Sequence, residues 1–226
     1  MNEIRPHGIL AIWHDIVQEH EQVVNDWYNH EHHRERVGIP GFFTARRHVA
    51  LEGRPKYFVF YETTDPSVLE SDAYLACVNN PSPWTQRTMP HYRNTTRLVC
   101  TRTTSLGYGH GAFVVTLRFN RAEAERALNS AATAARAEAA LKMPGIVSVQ
   151  IWELDSKRTH LPTQEKKIRG NPDGTADGIV MLSGNQVDQV RCAGEEHFST
   201  SDLQRDGIAD GVANVGLYQL IFTMGG

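Results

Sequence analysis

The stretch Asn25 to Arg47, NDWYNHEHHRERVGIPGFFTARR, gathers the side chains of this chain best suited to chemistry. Imidazole titrates near neutrality and a nearby carboxylate raises and orients it, so Glu31 and His32 suit general acid–base work. At helical spacing Val24, Tyr28 and His32 stack four apart, and Trp27, Glu31 and Glu35 do so one step round, which sets two aromatic rings beside a Glu and a His. Neighbours on a helix point about 100° apart, so Glu31 and His32 are not expected to bond to one another. His30, Glu31, His32 and His33 also crowd metal-ligand types into one turn. A zincin needs histidines four apart around a Glu, and the residue four after His30 is Arg34, so no metal is expected and His30 and His33 read as solvated helix residues.

Arg46 and His48 are two apart on the next strand and share a face. If the helices cover that face, the pair offers charge and a proton donor to an anionic or enolate ligand. If Arg47 takes the covered face, the pair is exposed. The candidate catalytic set is His32, Glu31, Tyr28, Arg46 and His48, with Trp27, Tyr61, Trp84, His91 and His14 as the substrate-binding set. Aromatics at such positions more often pack than recognise.

These residues need elements to position them. Gly8 to Trp13 reads as a buried strand and Glu19 to Val37 as the helix. Pro40 and Gly41 stop that helix, because proline cannot donate and biases Ile39 away from helix. Phe42 to Leu51 and Lys56 to Glu62 are rich in β-branched and aromatic residues and form an expected antiparallel hairpin. Asp65-Pro66-Ser67 opens a second helix, with Asp65 as N-cap and Pro66 at its first position. Pro81, Pro83 and Pro90 break the next region, and Thr95 to Arg102 is a fourth strand. Strand, helix, strand, strand, helix, strand is the ferredoxin-like order.

The order then recurs. Gly111 to Phe119 is a strand, Arg121 to Lys142 an alanine-rich helix, and Ile146 to Leu154 and Gly178 to Ser183 are strands. A helix within Gln186 to Phe198 and a strand from Val215 to Thr223 complete the set. Ile39-Pro40-Gly41-Phe42 and Met143-Pro144-Gly145-Ile146 match at an offset of 104 residues, a period that means duplicated modules. The expected boundaries are 1–106, carrying the site, and 107–226, a degenerate copy whose helix replaces the aromatic and His residues with alanine. That copy carries an inserted loop at 156–177, read as a lid, a contact surface or a mobile segment.

The remaining properties narrow the class. Across 226 residues, 23 Lys and Arg against 26 Asp and Glu leave a net charge of -3, no footprint for nucleic acid or an anionic membrane, so a small-molecule partner is expected. Cys77, Cys100 and Cys192 are far apart with no CxxC pair, which indicates neither a disulfide framework nor a thiolate metal site. With no signal-like or membrane-length apolar run, a cytoplasmic protein is the expectation. No GxGxxG, GxxxxGK[ST] or GxSxG occurs, and no cofactor is expected.

Trp27, Tyr28, Glu31, His32, Pro40, Gly41 and Phe42, with Arg46 or Arg47 and with Tyr61-Glu62, resemble the EthD-like and related members of the dimeric α+β barrel superfamily. The resemblance covers the first half and implies α+β architecture: two tandem ferredoxin-like (βαββαβ) modules forming an intrachain α+β barrel, with a small ligand between a module's sheet and its helices and a homodimer optional. Its members include cofactor-free monooxygenases, isomerases, dehydrochlorinases, polyketide cyclases and haem proteins, so the fold does not choose the reaction. The expected function is a cofactor-independent lyase or isomerase of small-molecule catabolism or secondary metabolism, moving protons on a carbonyl or aromatic metabolite. The alternatives are a haem- or oxygen-using monooxygenase and a non-catalytic small-ligand-binding protein.

Overall fold

In a computed structural model, residues 7–121 and 130–225 are described. The first module holds strands β1 (Gly8–Ile16), β2 (Phe42–Gly53), β3 (Tyr57–Thr63) and β4 (Tyr92–Gly107). Its helix α1 runs through three consecutive parts, Glu21–Trp27, Tyr28–His32 and His33–Val37, and α2 (Asp72–Asn79) and α3 (Pro83–Thr88) come after β3. The second module holds β5 (Phe113–Arg121), α4 (Ala131–Leu141), β6 (Ile146–Leu154), α5 (Ser156–Thr159), α6 (Gln164–Arg169), β7 (Gly178–Gly184), α7 (Val187–Phe198), α8 (Thr200–Arg205) and β8 (Ala209–Gly225). Residues 122–129 of the expected alanine-rich helix lie outside the described residues. The described part starts at Ser130, whose hydroxyl caps Thr133 N–H.

Each module has the ferredoxin-like strand order, β4-β1-β3-β2 and β8-β5-β7-β6, entirely antiparallel. The two sheets do not merely face each other. They join edge to edge through β2–β8 and β4–β6, so the eight strands among the described residues close into one barrel. Closure removes the unpaired edges that an isolated four-stranded sheet would expose. Alternation along the strands then makes three cores. Ile9, Ala11, Trp13, Phe58, Phe60, Trp152 and Met181 fill the barrel, while Leu10, Val59, Tyr61 and Val99 meet α1 outside it and Val115, Leu117, Val180 and Leu182 meet α4 and α7.

The repeated Pro-Gly motifs do one job twice. Gly41 and Gly145 take φ of 93° and 76°, the left-handed region where a Cβ costs energy, and each turns a helix end into a strand. The prolines at 81–90 do less breaking than expected. Pro83 sits in the first turn of α3, where its missing N–H is harmless, and Ser82 caps that helix at Thr85 N–H.

The 156–177 insertion is an ordered cover. β4 pairs with β6 only from Cys100 onward, which leaves the outer edge of Tyr92–Val99 open, and the insertion binds it. Val99 N–H donates to Thr159 Oγ1 at 2.8 Å and Gly174 N–H to the Thr95 carbonyl at 2.7 Å. Among the described residues no helix is long and apolar enough to cross a membrane.

Candidate functional site

The centre of α1 is a π turn, Tyr28–His32. Widening one turn by a residue rotates the remainder of the helix about its axis, and such turns recur at functional sites. Both His32 and His33 consequently face the sheet, 4% and 1% exposed, so His33 is not the solvated residue that regular helical spacing predicts. His30 remains on the outside, its Nδ1 2.8 Å from the Asp26 carbonyl. Among the described residues no three His, Cys, Asp or Glu side chains converge to hold a metal.

Under α1 lies a network of rings. Tyr92 donates its hydroxyl proton to Tyr28 Oη at 2.6 Å, and Tyr28 Oη lies 3.2 Å from His14 Nε2. His14 Nδ1 lies 3.4 Å from the Asp15 carbonyl, which can only accept, so Nε2 is the acceptor for Tyr28. His33 Nδ1 meets Tyr61 Oη at 3.1 Å. Burial pushes the Tyr28 and Tyr61 phenols up, and burial together with Arg47 holds His14 well below the usual range and His33 down to about 3. His32 is also held well below its usual range, by burial first and Arg36 next. The imidazoles are therefore neutral.

Two of their nitrogens lack a hydrogen-bond partner while buried, His32 Nδ1 and His33 Nε2. Glu35 Oε2 stands 3.8 Å from His32 Nδ1 and Trp27 stacks on the ring at 4.0 Å. The carboxylate beside His32 is thus Glu35, three residues on. Glu31 is tied elsewhere, accepting from the Trp27 indole at 3.2 Å and from Ser82 Oγ at 2.5 Å, which fastens α1 to α3.

His32, Tyr28 and Tyr61 line a cavity of ≈30 Å³ between α1 and the sheet. Its other wall is α6 from the insertion, so the second module closes the first module's site. Arg36 on α1 pairs with Glu165 on α6, and Arg97, Lys166 and Arg169 also border the space. Burial and the neighbouring Arg97 hold the Lys166 amine down to about 8. The cavity is close to the size of a single water. The histidines and tyrosines supply proton-transfer groups and the cations favour negative charge on a ligand.

Arg46 and His48 are not part of this site. The register slips by one residue around Phe43, a bulge that exchanges the two faces of β2 and leaves Phe43 39% exposed. Arg47, not Arg46, then takes the helix-covered face, its guanidinium 4.2 Å from the ring centres of Tyr28 and Tyr57 and 2.7 Å from Asn25 Oδ1. Arg46 and His48 turn into the barrel instead, half-buried and buried. Trp84 packs half-buried on the edge of the core and His91 stacks on His20 at 3.5 Å, and neither lines the cavity. His33, Tyr92, Arg36 and Arg47 join the site from outside the expected set. Arg47 had a sequence signal, as the other possible face of β2 and one of the two arginines of the family resemblance, and His33 stood among the possible metal ligands read as solvated, whereas Tyr92 and Arg36 had none.

The second module has a larger counterpart, an apolar groove of ≈430 Å³ between α7 and β5–β8, lined by Val115, Leu117, Phe198 and Leu217 and carrying no histidine. No protein-family model and no curated protein matches the chain. Solved structures do match over nearly its whole length. An anthrone oxidase-like protein, 10% identical, covers 98% of this chain and 94% of its own, at a TM-score of 0.62. The fold is the ferredoxin-like α+β barrel. A candidate monooxygenase of Lactobacillus acidophilus (8% identity, 97% of this chain and 96% of its own, TM-score 0.56) shares this barrel. A second, from Fusobacterium nucleatum (10%, 97% and 95%, 0.55), does so too.

Proposed function

We propose that this α+β barrel is a cofactor-independent enzyme in which His32 removes a proton from a small carbonyl or aromatic compound, leading to isomerisation, elimination or cyclisation. The observation that carries the reading is the neutral, sealed His32, whose Nδ1 has no hydrogen-bond partner and faces the Glu35 carboxylate. Buried polar groups are normally satisfied, and a neutral imidazole with an unbonded nitrogen 3.8 Å from a carboxylate can become an oriented general base once that gap closes. Its proton affinity in the closed site is low because burial and Arg36 oppose the cation, and the negative charge that develops on the substrate as the proton leaves raises it. Tyr61, held by His33, is a proton donor on the same wall. Arg36, Arg97, Lys166 and Arg169 stabilise an enolate as it forms.

A cavity of ≈30 Å³ admits no metabolite, so α6 swings away for entry and returns to exclude water. The test is solvent exchange: a panel of small ketones and aromatic carbonyl compounds is incubated with the protein in D₂O and tracked by proton NMR. Enzyme-dependent deuteration that His32→Gln lowers by about 10²-fold supports the reading, and no deuteration across the panel sinks it. The fold-mates named for oxidase and monooxygenase activity motivate a second reading, in which the deprotonated substrate meets O₂. Oxygen uptake recorded with the same panel separates the two.

A further inference from the structure

Two cations border the His32 cavity from opposite walls, and neither is matched by a carboxylate. On the sheet side Arg97 of β4 is buried, and its Nη2 donates to Tyr74 Oη at 2.8 Å, a neutral partner. On the cover side Lys166 of α6 is half-buried, and its Nζ donates to the Thr159 carbonyl and, at 3.1 Å, to the Leu161 carbonyl, which are neutral as well. Among the described residues neither cation makes a salt bridge. The carboxylates nearby are committed to other partners. Glu165 pairs with Arg36, Glu35 Oε2 accepts from Arg36 Nη1 at 3.0 Å, and Asp173 Oδ1 accepts from Arg169 Nη2 at 2.6 Å.

Arg97 and Lys166 are close enough to act on one another: after burial, Arg97 is the main cause that depresses the Lys166 amine. Like charges on facing walls push the cover away from the sheet, and a cation taken out of water without a counter-ion is costly. An anion between the two removes both penalties and ties α6 to β4. Arg36, Arg97, Lys166 and Arg169 border the space against the three carboxylates bonded to them, Glu35, Glu165 and Asp173, so one positive charge is left unmatched.

We propose, on the reading of the His32 cavity as a substrate site, that its substrate is a small keto acid whose carboxylate bridges Arg97 and Lys166 and draws α6 onto the sheet. A monoanion balances the one unmatched charge, where a phosphate dianion overshoots it. The flat carboxylate also suits the guanidinium fork of Arg97, while the Lys166 ammonium adds a point charge. The ≈30 Å³ of free space keeps the guest small even after α6 yields. Tyr61 and His32 line the same space and are left to meet the carbonyl end.

Hydrogen exchange of the full chain is followed by mass spectrometry as pyruvate, phenylpyruvate, acetone or inorganic phosphate is added at constant ionic strength. A keto acid is expected to slow exchange saturably in α6 and the rest of residues 156–177, whereas acetone, a carbonyl without a carboxylate, leaves it unchanged. Lys166→Gln is expected to weaken that affinity about tenfold and Lys166→Arg to restore most of it. Because Lys166 is half-buried on the cover, this pair carries the test even if Arg97→Gln does not fold. The pyruvate methyl signal in D₂O reports the chemistry separately: protection without methyl deuteration supports the carboxylate site and refutes His32 as the base. Saturable protection by neither keto acid overturns the proposal, as does equal protection by acetone or tighter binding of phosphate. An affinity that Lys166→Gln leaves unchanged also overturns it.

Discussion

At the scale of single residues, what distinguishes the first module is which groups are left incompletely bonded. His14 and Tyr28 are satisfied within their network, and Glu31 serves as a fastening between helices. His32 and His33 each keep one buried nitrogen without a partner. His32→Gln is expected to cut proton exchange by about 10²-fold. It also lowers the melting temperature modestly, because the ring stacks on Trp27 at 4.0 Å and is 4% exposed. Glu35→Gln separates positioning from packing: it is expected to reduce turnover about tenfold at a stability cost smaller than that of losing Glu165, since the amide oxygen still accepts from Arg36. The measurement is a rate profile against pH with a parallel thermal melt. Glu138, exposed on α4, is the control, and its replacement changes neither.

At the scale of elements, the device that matters is the cover that the second module lays on the first. Arg36 is 2% exposed and its partner Glu165 comes from α6, so Glu165→Ala leaves a buried guanidinium with Glu35 as its remaining carboxylate. The expected cost is about 2 kcal/mol, with faster hydrogen exchange confined to α6 and its flanks, read by mass spectrometry. Unchanged exchange there would show that α6 is not a lid. The Pro-Gly junctions make a second test. Gly41→Ala forces a side chain into φ of 93°, with its Cβ 2.8 Å from Val68 Cγ2, and is expected to destabilise by about 1–3 kcal/mol in chemical denaturation.

At the scale of the whole molecule, five histidines share one fate. His14, His32, His33, His48 and His110 are all held below their ordinary value, chiefly by burial, so the native state keeps them neutral where the unfolded chain protonates them. Their contribution is therefore intact above about pH 6.5 and is lost as pH falls below it, by up to about 1.4 kcal/mol per pH unit for each group. Thermal melts from pH 8 to pH 5 are expected to show a plateau and then a steep fall starting near pH 6.5. A flat profile down to pH 5 would show the imidazoles to be solvated. The sequence by itself determined the eight strands and the repeat of their order, because alternation, helix stops and Pro-Gly turns are local, and two copies of one strand order imply one architecture. It also set α1 apart in side-chain type, since Trp27, Tyr28 and His32 have no counterparts in the alanine-rich segment. Only the tertiary structure decided which face each side chain took. A π turn brought His33 inward and a bulge near Phe43 sent Arg46 and His48 into the barrel, and both are one-residue insertions in a period that averages conceal. Tyr92 and the α6 cover reach the site through long-range pairing, for which nothing in their local sequence codes.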